Sequence, residues 1–87
     1  MSYSRFFDSD WYVYPSASKN IQVFYVGGSE WQWWPGKNLN EFMQEVENDI
    51  DKSIPTWKQD VAELRRILED NLEDINKWFD EWRNEND

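Results

Sequence analysis

The spacing of apolar residues changes period once along this chain. Up to Trp34 it is short-range and strand-like, and from Leu39 onward it recurs every three or four residues. Trp11-Tyr12-Val13-Tyr14 is rich in strand formers and stops at Pro15. Ser16 to Asn20 reads as a turn, and Ile21 to Val26 as the clearest strand. Gly27-Gly28-Ser29 has the φ freedom of a hairpin turn, after which Glu30 to Trp34 pairs back and ends at Pro35-Gly36. The pattern predicts a three-stranded antiparallel meander over residues 10–34, with residues 1–9 as a lead-in. Ile21, Val23 and Tyr25 point one way, Phe24 and Val26 the other. In the third strand Trp31 and Trp33 oppose Gln32 and Trp34. Both faces are partly apolar, so helices should cover one and leave part of the other available.

Asn38 to Glu41 has the form of a capping box and opens a helix over residues 38–52. Leu39, Phe42, Met43, Val46 and Ile50 are its apolar stripe. Ser53-Ile54-Pro55 breaks it, because proline lacks the N–H and disfavours α geometry before it. Thr56 to Gln59 reads as a second capping box. Beyond it Trp57, Val61, Leu64, Leu68, Leu72, Ile75, Phe79 and Trp82 fall on one stripe, which predicts a long helix over residues 56–84. The mean step lies between a heptad seam and a straight helix, and Asn71 stands where a strict heptad wants an apolar residue. Such a helix would be roughly 40 Å long at 1.5 Å per residue. The first helix can cover about half of it. Its far end, Ile75 to Trp82, must fold against the sheet or meet another chain. The expected fold is α+β: a β-meander followed by a two-helix hairpin, in one domain spanning residues 1–87.

Charge sharpens this division. Residues 1–38 balance three acids against three bases, whereas residues 39–87 hold fifteen acids and six bases, so the whole net charge of −9 lies in the helical half. That field opposes nucleic acid and anionic membranes and favours a cationic partner. Glu63, Glu69, Asp70, Glu73, Asp74, Asp80 and Glu81 lie off or beside the apolar stripe and form the candidate partner-binding row. Glu69 with Glu73, and Asp70 with Asp74, are like charges four apart, each costing about 0.2–0.5 kcal/mol within one helix. Accepting that cost in a small domain argues that the acidity is used; a solvated face relieved by Arg66 and Lys77 is the plainer alternative. The stripe itself, Trp57 to Trp82, is the candidate oligomer seam.

Eighteen per cent of the chain is aromatic, with seven tryptophans, which supplies core area that its 87 residues would otherwise lack. Trp31, Trp33 and Trp34 form a cluster that is either a stacking platform or core. Alternation puts Trp31 and Trp33 under the helices and makes Trp34 the residue to expect at the surface, where it joins the candidate partner-binding residues as their aromatic anchor. There is no His or Cys and no phosphate-loop or nucleophile-elbow pattern, so an enzyme is not expected. Asp8-x-Asp10 and Asp49-x-Asp51 start like calcium loops but lack the later ligands, so neither metal nor cofactor is implied. Absence of cysteine and of a long apolar run leads to the expectation of a soluble, cytoplasmic protein.

Ser4-Arg5-Phe6-Phe7-Asp8-Ser9-Asp10-Trp11-Tyr12-Val13-Tyr14 resembles the opening of small uncharacterised bacteriophage proteins, which run Ser-Arg-x-x-Asp-Ser-Asp-x-Tyr-Val-Tyr into a strand. Their amphipathic helix, ending near Val-Pro, is matched loosely by Phe42-Met43 and Ile54-Pro55. The Cys pairs and helix His residues common in them are missing. The resemblance implies a phage-encoded origin and the host cytoplasm, and it carries no activity. Together these features predict an acidic protein that blocks a basic surface of a host or defence protein, as a DNA mimic or steric inhibitor. The alternative is a phage structural protein that forms a homo-oligomer through a coiled-coil or bundle seam. A sugar-binding module using the tryptophans ranks below both.

Overall fold

A computed structural model describes residues 6–8 and 10–85, with side chains from Asp10 onward. Four strands, β1 (Phe6–Asp8), β2 (Trp11–Pro15), β3 (Ile21–Tyr25) and β4 (Glu30–Trp33), form one antiparallel sheet in chain order. Three helices follow: α1 (Leu39–Asp49), α2 (Trp57–Asp70) and α3 (Leu72–Glu85). The α+β class and the meander of β2 to β4 are as the sequence predicts. The lead-in is different. Its Phe6–Asp8 stretch pairs with Trp11–Val13 as an edge strand, while the rest of residues 1–9 lies outside the described residues. Pro15 ends β2 beyond the reach of β1, so no ladder hydrogen bond is asked of its missing N–H.

The inner sheet face is Trp11, Val13, Ile21, Val23, Tyr25, Trp31 and Trp33, all buried. Against it sit Phe42, Met43, Val46 and Ile50 from the α1 segment, Leu64 and Leu68 from α2, and Ile75 and Phe79 from α3. Trp33 stacks on Phe42, with centroids 5.3 Å apart, and meets Phe79 edge-on at 5.1 Å. The far end of the helical stripe therefore folds onto its own sheet. Lys19, in the turn between β2 and β3, pairs with Glu85 at 3.3 Å and ties down the end of α3. The turn between β3 and β4 uses Gly28 at φ 102, open to glycine at no steric cost.

Three helix boundaries differ from the sequence expectation. Helix α1 stops at Asp49 because Ile50 turns extended and buries its side chain, while Lys52 folds back to donate to the Glu47 and Asn48 carbonyls at 2.6 and 3.4 Å. Its capping box is present: Glu41 N–H donates to Asn38 Oδ1 at 2.8 Å, and Asn38 N–H to Glu41 Oε1. The second box is not formed. Thr56 makes no side-chain cap bond, and its hydroxyl donates to Asp60 at 3.0 Å instead.

The long helix is also interrupted at Asn71. Its side-chain amide donates to the Ile67 carbonyl at 2.8 Å, taking the acceptor that its own backbone N–H would use in a continuous helix. The backbone N–H instead reaches Leu68 O at 3.3 Å, and Asn71 O starts α3 by accepting from Ile75 N–H. Asn38→Ala should cost about 1 kcal/mol through loss of the α1 cap. Urea unfolding of the two proteins measures it.

Candidate functional site

Two surfaces of different chemistry emerge from this packing. On the helical layer Asp70, Glu73, Asp74, Asp80 and Glu81 are exposed, and none of them forms an ion pair among the described residues. Glu69 is exposed and lies 3.9 Å from Arg65, and Glu63 is half-buried. The break at Asn71 changes the electrostatics of the row. Glu73 and Asp74 occupy the first turn of α3, where the helix dipole favours carboxylates. The like-charge pairs thus span two helices and do not carry the intrahelical cost expected for them. The cost shifts to Glu69 and Asp70 in the last turn of α2, where no base offsets the dipole.

Helix α1 adds Glu41, Glu45, Glu47 and Asp49 with no base within it. Lys37 pairs with Glu45, and Lys52 is turned onto the α1 carbonyls. Lys52 and Lys58 both lie over the Trp57 ring, at 5.3 and 5.7 Å from its centroid. Two bases of the acidic half, Lys52 and Lys58, are thus held by carbonyls and an aromatic ring.

Trp34 is not part of the acidic row. It follows β4 on the side of Glu30 and Gln32, half-exposed, while the helices cover the side of Trp31 and Trp33. The structure thus separates the expected aromatic anchor from the carboxylates, because strand alternation sends it to the opposite face of the sheet. Trp31 and Trp33 are core, and each satisfies its indole N–H: Trp31 donates to Asp49 Oδ2 at 2.8 Å and Trp33 to Lys37 O at 2.7 Å. The seam residues are spent in the same way. Leu64, Leu68, Ile75 and Phe79 are buried, and Trp57, Val61, Leu72 and Trp82 pack against the same core.

Two of the calcium-like acids, Asp49 and Asp51, have structural partners, and the side chain of Asp8 lies outside the described residues. Asp49 holds Trp31, and Asp51 accepts from Ser53 N–H and Oγ at 2.9 and 2.7 Å, which keeps its carboxyl below the usual range. No group of three or more His, Cys, Asp or Glu among the described residues could hold a metal ion. No described helix is long and apolar enough to cross a membrane.

One buried polar centre was not singled out by sequence reasoning. Asp60 is 6% exposed; Tyr25 Oη and Thr56 Oγ1 both donate to its Oδ2, and Trp11 Nε1 donates to its backbone carbonyl at 2.8 Å. A polar cleft of about 620 Å³, lined in part by Asp10, Gln59, Glu63 and Arg66, opens beside it. The signal was available: Asp60 is in phase with Leu64 and Leu68 at i, i+4 and i+8, so helical period alone places it inward.

Burial, then the hydrogen bond and charge of Asp60, push the Tyr25 phenol up to about 12. The fold thus favours the neutral phenol, so this stabilisation is complete below about pH 10 and lost as pH rises through about 12. Tyr25→Phe should cost roughly 1–3 kcal/mol at neutral pH, by leaving the buried carboxylate short of a donor. It should also remove this part of the alkaline stability loss; urea unfolding of both proteins from pH 8 to about 12 checks both effects.

No protein family, curated protein or solved structure matches this chain, and the residues that resemble the phage opening fall on β1 and β2, with Ser4, Arg5 and Ser9 outside the described residues.

Proposed function

We propose that this is a non-enzymatic binding protein whose acidic helical layer docks on a basic surface of another protein and blocks it. The observation that carries the reading is the set of exposed carboxylates from Asp70 to Glu81 that lack an ion-pair partner among the described residues. They sit on the outward side of helices whose inward stripe packs on the sheet, and the acids of α1 extend the field.

Charge density separates the two modes of blocking. The five carboxylates of α3, from Glu73 to Glu85, span about 18 Å at 1.5 Å per residue. That is about one per 4 Å, close to the one charge per 3.4 Å along a DNA strand. Lys77 and Arg83 fall in the same stretch and cut the net density to about half that of the strand. This favours an acidic protein-binding face over a full phosphate ladder. The phage-like opening supports a host or defence protein as the partner. Use of the Trp57–Trp82 stripe to join another chain would require it to leave its own sheet, so that alternative is less well supported.

A pulldown from host lysate, with wild type beside Asp70→Lys/Glu73→Lys/Asp74→Lys, tests the reading. The partner captured by wild type should be lost from the triple variant while its melting temperature stays close to wild type. Its affinity should fall at least tenfold between about 0.1 and 1 M salt, as the Debye length shrinks from ~10 to ~3 Å. Capture indifferent to both changes would reject it.

A further inference from the structure

Trp34 stands on the side of the sheet away from the helices, so an aromatic contact for a partner on the acidic layer has to come from elsewhere. The last two turns of α3 supply one. Trp78, Glu81, Trp82 and Glu85 recur at i, i+3, i+4 and i+7, so two indoles and two carboxylates share one stripe of that helix. Facing them are the end of β2 and the turn after it, Pro15 to Lys19, and the two walls bound a cleft of about 280 Å³. Small-molecule pockets run from about 300 to 1,000 Å³, so this cleft suits one side chain better than a cofactor.

Each wall is fixed by contacts outside the cleft. Ile75 and Phe79 of α3 are buried against the sheet, and Trp82 leans on Phe79 with centroids 5.7 Å apart. On the other wall Ser16 N–H donates to Asn20 O at 2.9 Å, Lys19 N–H to Ser16 O at 3.0 Å, and Ser16 Oγ to Oδ1 of the buried Asn20. These bonds hold Lys19 at φ 67, in the left-handed region. Its ammonium reaches Glu85 at 3.3 Å. The two side chains of that pair are 42 and 57% exposed, so water competes for it and an arriving cation can replace Lys19.

The lining selects the occupant. Glu81 and Glu85 are like charges four apart in one helix, and Lys19 is the one cation among the described residues that line the cleft. An anion is repelled there, and an apolar side chain would strip water from the carboxylates without pairing them. Indole rings attract cations. A guanidinium is flat and weakly hydrated, so it can stack on a ring while its N–H fork meets a carboxylate; the compact ammonium of lysine gives up its water less readily.

We infer that this cleft is an arginine-binding site, in which one arginine of the basic partner lies beside the indoles, pairs with Glu81 and Glu85, and displaces Lys19. The inference rests on the helical layer being the docking face for a basic protein, and it names the anchor of that docking.

Titration of the full chain with N-acetyl-L-argininamide, followed by the indole N–H signals in proton–nitrogen correlation spectra, tests the cleft without the partner. The Trp78 and Trp82 signals should shift and saturate, with a Kd of about 1–100 mM for a single ion pair and ring contact. Glu81→Gln/Glu85→Gln keeps the side-chain shape, so melting should stay close to wild type while the probe binds about fivefold or more weakly. Lys19→Gln should tighten the probe about twofold or more, which a purely structural role for Lys19 would not produce. At matched ionic strength the uncharged N-acetyl-L-citrullinamide should leave both signals in place. In the lysate pulldown, Glu81→Gln/Glu85→Gln should recover several-fold less of the partner than wild type. Absence of a saturable shift, equal binding of the citrulline probe, or probe binding that survives the glutamine pair would each overturn the site. So would undiminished capture of the partner by the glutamine pair. Because the titration needs no partner, a failed cleft is distinguished from a failed docking face, which the salt dependence and the Asp70–Asp74 variant read separately.

Discussion

Trp33 is the residue on which the layers of this domain converge. It is 1% exposed, stacked on Phe42 of α1, met edge-on by Phe79 of α3, and tied through its indole N–H to the Lys37 carbonyl just before α1 begins. Burying one such aromatic is worth roughly 4–6 kcal/mol at 25 cal/mol per Å², before the entropy of ordering it. In an 87-residue chain that is a large share of any net stability. The contact also draws both flanking helices onto one side of β4. That choice leaves the acids on the outside of the helical layer and the second aromatic face of the sheet without a helix over it among the described residues.

The middle helix is held differently. Asp60 brings a carboxylate under α2, and Tyr25, Thr56 and Trp11 all bond to that one residue, two at its side chain and one at its carbonyl. A buried carboxylate is costly unless its acceptors are matched by donors. The matching donors come from β2, β3 and the start of α2, so the bonds form only when α2 sits in one register on the sheet. Leu64 and Leu68 would pack in several neighbouring registers; the polar centre selects among them.

Segregation of charge follows from the same geometry. The helical stripe is consumed by the sheet, so the carboxylates that remain have only solvent or a partner to face. The other face of the sheet has no helix over it among the described residues, since all three pack on one side. One small domain thus carries an acidic surface and an aromatic, amide-lined surface on opposite sides.

Local pattern was enough to determine the α+β class, the meander, the Asn38–Glu41 cap, the inward stripe and the confinement of charge to the helices. Each depends on residues within a few positions of one another, where periodicity, turn chemistry and capping act. The acids of the candidate row were legible for the same reason, because helical phase puts them opposite the stripe. Tertiary structure decided the rest. Phe6–Asp8 becomes a strand only because β2 offers it an edge, and Thr56 gives up its cap because Asp60 is buried within its reach. Asn71 ends a helix that apolar spacing alone would continue, by turning its amide back on the Ile67 carbonyl. Trp34 parts from the carboxylates because strand alternation and the placement of all three helices on one face act together. These outcomes turn on competition between local bonds and distant partners, which become comparable only once the chain has packed.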